Sequence, residues 1–243
     1  MNYNWNWRVL FEQSPTGEGS YLHLLLTGMQ WTLATTGLVC VLAVLLGTAV
    51  GVARTLPFAA VRIAGRCYVE IFRNIPLIVQ LFLWYFVLPE LLPPDLARWV
   101  KQLPSASFWA AVIGIGLYMS ARVAEQVRSG IESLPSGQSM AAKAVGFTIF
   151  QMYRHVLLPR AYRVIWPTLT TDLTNTVKAT SVALTIGLSE LTAQANAMQE
   201  FSFQVFEAFS AALAIYFVVN MAMLMAMRRV ERYIAMPGYS GGR

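Results

Sequence analysis

The chain has 243 residues, of which 56% are hydrophobic and only 12% charged, and its formal net charge is +6. A water-soluble domain of this length carries about twice that density of charge, so a soluble class is excluded and a membrane domain is expected. The only cysteines, Cys40 and Cys67, lie in or beside apolar stretches and argue against a disulfide framework or a zinc site. With no Walker loop, no GxGxxG after a strand and no HExxH, any energy source is expected on another chain.

Residues 1–23, opening MNYNWNWRVLFEQSP, lack a basic region followed by an apolar core and a cleavage site. The segment is read as retained rather than as a signal peptide. A spanning helix needs about 20 mostly apolar residues, and five segments are predicted to span. They are 24–53, with the uninterrupted core LVCVLAVLLGTAVGVA; 69–92, holding PLIVQLFLWYFVLPELL; 107–129; 163–190; and 206–227. The fourth is the least apolar, because it carries Asp172, Asn175 and Lys178.

Loop charge sets direction. Arg54, Arg62, Arg66 and Arg73 follow the first span. Arg122, Arg128, Lys143, Arg154, Arg160 and Arg163 surround the loop after the third. Arg228, Arg229, Arg232 and Arg243 follow the fifth. Basic loops stay cytoplasmic, so the N-terminal segment is expected outside and the 228–243 tail inside, and that alternation requires five spans. Topology and anionic headgroups account for the net charge without a nucleic acid. The proline-rich stretch 89–104 is expected as an external loop, with Trp99 and Trp109 in the interfacial belt.

The segment SGQSMAAKAVGFTIFQMYRHVLLP, residues 136–159, is too polar to span. Pro135-Ser136-Gly137 reads as a turn, with Ser136 or Ser139 capping a helix. Ala141, Ala144 and Val145 make a small apolar face at helical spacing. Gly146 breaks the helix or admits another backbone. Phe147, Phe150 and Tyr153 resume a stripe, and Pro159 ends the second short helix. Such a helix–turn–helix on the cytoplasmic surface fits either of two roles: docking in a partner's groove, or resting on lipid as an amphipathic helix.

A charge in the hydrocarbon costs at least about 2.5 kcal/mol, so each needs a reason. Arg122 and Glu125, three apart, are placed to pair on one helix face, as a structural ion pair or as a substrate contact. Lys178 is six residues from Asp172, a spacing that disfavours a pair within the helix; it bonds elsewhere in the assembly or meets substrate. Thr180 and Ser181 bond between helices or to a substrate ammonium. Pro76 is expected to kink the second span, with Gln80 facing the pathway, and Glu70 and Arg73 anchoring it at the interface. Glu190 is placed near the outer surface. His23 and His155 stand alone, so no metal and no cofactor are expected in this chain.

Several of these stretches resemble one family. Gly137, Gln138, Ala141, Ala142, Gly146, Leu158 and Pro159 fall in register with the loop motif of bacterial ABC importer permeases. That motif runs glycine-glutamine, then glutamate-alanine-alanine, a glycine beyond, and later leucine-proline. YVEIFRNIPLIVQLFLWY (68–85), ARVAEQVRSGIESLPSGQ (121–138) and residues 158–191 resemble the polar amino acid branch, covering most of 68–191. The resemblance implies a type I ABC importer permease fold: an all-α integral membrane domain over 24–227, with five transmembrane helices and a cytoplasmic coupling-helix loop. That loop docks on an ATPase dimer, which holds the ATP and Mg, through Gln138, Met140, Ala141, Ala142, Lys143, Gly146, Phe147 and Phe150. Met140 departs from the motif, standing where the family has glutamate, so an acidic contact is missing or supplied elsewhere.

Many members of the family this chain resembles have a tyrosine where Arg122 stands, and Glu125 is the usual family residue. A guanidinium there adds a bidentate carboxylate binder, which suits an acidic amino acid such as glutamate or aspartate. The implied function is import from a periplasmic binding protein across the bacterial inner membrane by alternating access. The implied partner within the membrane is a second, homologous permease chain. Arg122, Glu125, Lys178, Thr180, Ser181 and Gln80 are the expected substrate contacts. The alternatives are a neutral or basic substrate, or a substrate held by the sister chain. A membrane-embedded enzyme is disfavoured because no catalytic grouping converges on one face; an ion channel would conduct without ATP.

Overall fold

The computed structural model describes residues 3–234 except 16 and 18, so Arg243 and the rest of 235–243 in the expected tail lie outside the described residues. Helix follows helix: α1 (Tyr21–Ala53), α2 (Ala59–Asn74), α3 (Leu77–Phe82), α4 (Leu88–Leu91), α5 (Pro94–Lys101), α6 (Ala106–Glu132), α7 (Ser136–Ala144), α8 (Ile149–Met152), α9 (Leu158–Ala179), α10 (Leu191–Ser202) and α11 (Val205–Ile234). Among the described residues the only β-type pairing is a single bridge between Gln13 and Ser20. The all-helical membrane class expected from composition is the one that forms.

The spans differ in detail from expectation. Among the described residues, α1, α6 and α11 are each long and apolar enough to cross a bilayer alone. The second predicted span is two pieces. Helix α2 stops at Asn74, Ile75 and Pro76 are extended with ψ of 129° and 139°, and α3 restarts at Leu77. The proline disfavours helical geometry in the residue before it, so the break is local chemistry; the two pieces reach spanning length only when taken together. Helix α9 carries Arg160, Arg163, Asp172 and Lys178 in its 22 residues, too many charges for length and composition alone to mark it as a span. The predicted fourth span also leaves α-helix early: Thr180–Ile186 tightens into a 3-10 helix, which ends at Gly187 with φ 81°. Length and composition thus mark three spans among the described residues, or four with the bent pair taken as one. The expected loop 89–104 contains α5, started by Pro94 in its first turn, and α10 is a helix the sequence reading did not anticipate.

A π-turn at Leu83–Val87 joins α3 to α4, with the Leu88 N–H donating to the Leu83 carbonyl five residues back. Pro89 follows. A proline inside a helix lacks its donor and strikes the carbonyl four residues earlier; the wider turn relieves both problems.

Contacts divide the chain into two compact units. The first takes the described residues of Met1–Val39, Pro76–Ile115 and Asn175–Ala222; the second takes those of Cys40–Ile75, Gly116–Thr174 and Met223–Arg243. In the first unit, Leu24 and Leu25 of α1 pack with Leu191, Ala195 and Met198 of α10 and Ala208 and Ala212 of α11. Thr32 accepts the Leu191 N–H at 3.2 Å. Glu190 is fully buried. Its carboxylate caps α10 by accepting from the Thr192 and Ala193 N–H groups at 3.0 and 2.8 Å, and it takes the Tyr216 hydroxyl at 2.8 Å. Free N–H groups at a helix start draw a carboxylate inward.

In the second unit, Ala43, Gly47 and Gly51 recur every four residues on one face of α1, and that face rests on α6. A Cβ on Gly47 would lie 2.6 Å from the Val123 Cβ, and one on Gly51 2.8 Å from the Ala124 carbonyl oxygen. Small residues at this spacing let two backbones touch, which is how helices associate where lipid offers no hydrophobic drive. Helix α9 buries Ala161, Ile165, Leu169 and Leu173. Its Tyr162 hydroxyl bonds Thr48 of α1, and the Trp166 indole N–H donates to the Met227 carbonyl of α11 at 3.3 Å.

Candidate functional site

The 136–159 segment forms a helix, a sharp reversal and a second short helix, all in the second unit. Helix α7 starts after Pro135, which is its N-cap without any side-chain hydrogen bond. Neither serine caps it: the Ser139 hydroxyl donates to the Ser136 carbonyl at 2.8 Å within the first turn, because a hydroxyl inside a helix bonds back to the preceding turn. Residues Ser136 and Gly137 are already helical, so the expected turn there is absent.

The end of α7 is a Schellman motif. The Gly146 N–H donates to the Lys143 carbonyl at 2.9 Å and the Phe147 N–H to the Ala142 carbonyl at 3.0 Å. This pair of bonds needs a left-handed residue, and Gly146 supplies it with φ 87°. Two residues on, Thr148 and Gln151 form a reciprocal capping box that starts α8. Pro159, expected to end this second helix, does not. A π-turn at Tyr153–Leu157 carries α8 into α9, with the Leu158 N–H reaching the Tyr153 carbonyl. The device is the same one seen before Pro89, and for the same steric reason.

The reversal turns apolar side chains outward. Met140 is 60% exposed, Val145 77% and Phe150 70%, with Phe147 also exposed. Ala141, Lys143 and Ala144 are exposed beside them, and Gln138 is half-buried. The Arg154 guanidinium lies 6.0 Å from the Phe150 ring centre. Ala142 and Tyr153 are buried and face the chain itself, so Tyr153 does not continue the outward stripe.

The expected substrate contacts fall into both units. In the second, Arg122 and Glu125 do not pair with each other. The Arg122 Nη2 and Nε donate to one oxygen of Asp172 at 2.6 and 3.1 Å, and Gln126 donates to the other oxygen. Asp172 is 8% exposed and Arg122 43%. Glu125 has both oxygens engaged: Arg54 donates at 2.6 Å to one and Arg128 at 2.5 Å to the other, with Arg73 at 3.8 Å. Glu125 therefore does take an arginine three residues along its own helix, but that arginine is Arg128, while Arg122 places two of its donors on Asp172 of α9.

In the first unit, Gln80 is buried on α3, which packs against the 3-10 segment carrying Thr180 and Ser181. The hydroxyls of Thr180 and Ser181 donate to the carbonyls of Val177 and Lys178 at 2.8 and 2.7 Å, and Lys178 is exposed. Among the described residues no three His, Cys, Asp or Glu side chains gather as a metal site.

Sequence reasoning missed Asp172 as the partner of Arg122, and Arg54 and Arg128 as partners of Glu125. The available signal was charge balance: an intramembrane arginine must find an anion, and Asp172 is the acid of the neighbouring predicted span.

The family model for the binding-protein-dependent transport system inner membrane component matches residues 43–235. Identity to the glutamate/aspartate import permease protein GltJ of Escherichia coli is 42% over 246 residues, covering all of both chains. The glutamate/aspartate import permease protein GltK, also from Escherichia coli, is 28% identical over 96% of this chain and all of that one. The crystal structure of an amino acid ABC transporter with histidines superposes with a TM-score of 0.72 at 30% identity, covering 88% of this chain and 95% of that one.

Proposed function

This chain belongs to the family of binding-protein-dependent transport system inner membrane components, and from that premise we propose that it is the permease through which an ATP-driven importer moves glutamate or aspartate. It is a membrane transport subunit and not an enzyme; in such systems the ATPase is a separate chain. A periplasmic binding protein delivers the amino acid. A second permease chain completes the pathway, as the two related E. coli glutamate/aspartate permease proteins suggest. An N-terminus outside and a C-terminus inside is the orientation that the basic loops support. No cofactor is proposed for this chain; ATP and Mg belong to the partner.

The observation that carries this reading is the outward apolar face of the 136–157 element. Met140, Val145 and Phe150 stand exposed around a rigid Schellman reversal, next to Lys143 and Arg154. Apolar side chains fixed on such a short, doubly capped element suit a groove on the ATPase. Met140 adds packing area where the family motif has an acid. Coupling runs through this face, and alternating access follows from its movement.

Arg122 is the proposed carboxylate contact, with Lys178, Thr180, Ser181 and Gln80 as further polar groups for the substrate. Glu125 could meet an ammonium only by releasing Arg54 or Arg128. A second reading, in which the sister chain holds the substrate or the substrate is not acidic, draws on one observation: Asp172 already occupies the Arg122 guanidinium.

The test is reconstitution in liposomes with ATPase and binding protein, comparing glutamate, glutamine and arginine as stimulants of ATP hydrolysis. Glutamate is expected to stimulate most. Loss of one charge-assisted bond costs about 1.5–3 kcal/mol, so Arg122→Tyr is expected to lower glutamate uptake by about tenfold or more. Unchanged uptake and selectivity in that variant would favour the second reading. A chain that transports with no ATPase present would overturn the importer itself.

A further inference from the structure

Behind the exposed face of the 136–157 element, the second unit contains a ring of side-chain contacts closed through its helices. The Tyr153 hydroxyl, in the π-turn after α8, donates to the Thr55 carbonyl at 3.0 Å and lies 3.0 Å from the Thr55 hydroxyl. Thr55 follows Arg54 at the end of α1. The Arg54 guanidinium, its side chain only 10% exposed, grips Glu125 of α6 at 2.6 Å. A side chain on Gly65 of α2 would run into the Arg54 stem, so the arginine is held from that side too. Three residues before Glu125 on the same helix, Arg122 binds Asp172 of α9. Helix α9 is the continuation of the π-turn that holds Tyr153, and the ring closes there.

We infer that Tyr153, Thr55, Arg54 and Glu125 form the linkage that carries movement of the 136–157 element into α6. They are positioning residues of the transport cycle and not contacts of the transported ligand. A docking helix on a slack loop would lose its motion in the loop. Here no slack is available: the helix reverses through two hydrogen bonds at Gly146, restarts through a capping box, and is tied to α1 within one turn of α8. A π-turn at the junction fits such a role, since these single-turn bulges recur at functional sites and permit a local change of register. Both walls of the ring, α6 and α9, then move with the docking element, and with them the Arg122–Asp172 pair. The linkage rests on the docking role proposed above.

The test uses the assembled complex in liposomes, with the binding protein and glutamate supplied. Uptake per ATP hydrolysed is measured for Tyr153→Phe, Arg54→Gln and the double variant. Each single change is expected to lower that ratio by roughly tenfold, a usual size for coupling between sites. Links in series fail together, so the double variant should fall no further than the worse single one. Arg54→Lys, which keeps the charge, should recover part of the ratio where Arg54→Gln does not. Wild-type ratios in both singles, or a double variant that falls by the product of the two, would overturn the linkage. A Tyr153→Phe complex that retains its ATPase on purification but loses coupling supports it. Loss of the ATPase from that variant would instead place Tyr153 in docking and count against the linkage. If the unaltered chain retains no ATPase, the docking reading fails, and the two failures are told apart.

Discussion

Gly51→Leu is expected to cost this protein its folded form in the membrane. Gly51 faces α6 so closely that even a Cβ would sit 2.7 Å from the Val127 Cβ and 2.8 Å from the Ala124 carbonyl oxygen. The second contact decides the size of the effect. A side chain can swing away, but a backbone carbonyl within α6 cannot move without breaking the helix. Overpacking a well-filled contact costs about 1–3 kcal/mol and occasionally more; four extra carbons against backbone belong at the top of that range. Gly47, one turn earlier on the same face, keeps α1 from pivoting away. Thermal unfolding of the detergent-purified chain checks this. The leucine variant should melt several degrees lower and yield little folded protein, while Gly37→Leu, where a Cβ meets nothing within 4 Å, should behave as wild type. Equal melting of the two variants would mean that α1 and α6 do not touch at Gly51.

Gly146→Trp is expected to uncouple ATP hydrolysis from uptake. The effect has two parts that can be separated. With φ at 87°, any L-residue here pays a conformational penalty of about 1–2 kcal/mol, which loosens the Schellman turn and the placement of Phe147 and Phe150. Nothing within the chain lies within 4 Å of a Cβ at this position, so the indole finds room only in the space the ATPase would occupy. Asparagine tolerates the left-handed region, so Gly146→Asn should retain most of the coupling. Uptake per ATP measured in liposomes distinguishes the variants, with a drop of about tenfold or more expected for tryptophan. Normal coupling in Gly146→Trp would remove the docking role from this face.

What could be read from residue order is local. The apolar runs gave α1 and α6 nearly to their ends and α11 from its start, though α11 runs on past the predicted end at 227 to Ile234, because about 20 apolar residues can do little else but span. The docking segment was legible for a similar reason: small residues, one glycine and an aromatic stripe encode a helix, a reversal and a helix within two dozen positions. The break before α3 was only half legible. Pro76 announced a kink, but a full stop needed Ile75 to go extended as well. Pro159 misled, because a proline ends a helix only when nothing nearby can absorb its missing donor, and the π-turn at Tyr153–Leu157 absorbs it.

Residue order alone was enough to identify a helical membrane protein of an importer family with a polar helix–turn–helix at 136–159, since hydropathy, charge placement and a contiguous motif are all one-dimensional signals. Which distant charges meet was set by packing. Arg122 has Glu125 three residues away, yet takes Asp172, fifty residues on, and Glu125 takes Arg54, seventy-one residues back, besides Arg128 on its own helix. The glycines of α1 show why. Packing brings the backbones together, and Arg122 and Arg54 then bond the carboxylates that packing has placed beside them. A low-dielectric interior enforces that choice strongly, and spacing along the chain carries no record of it.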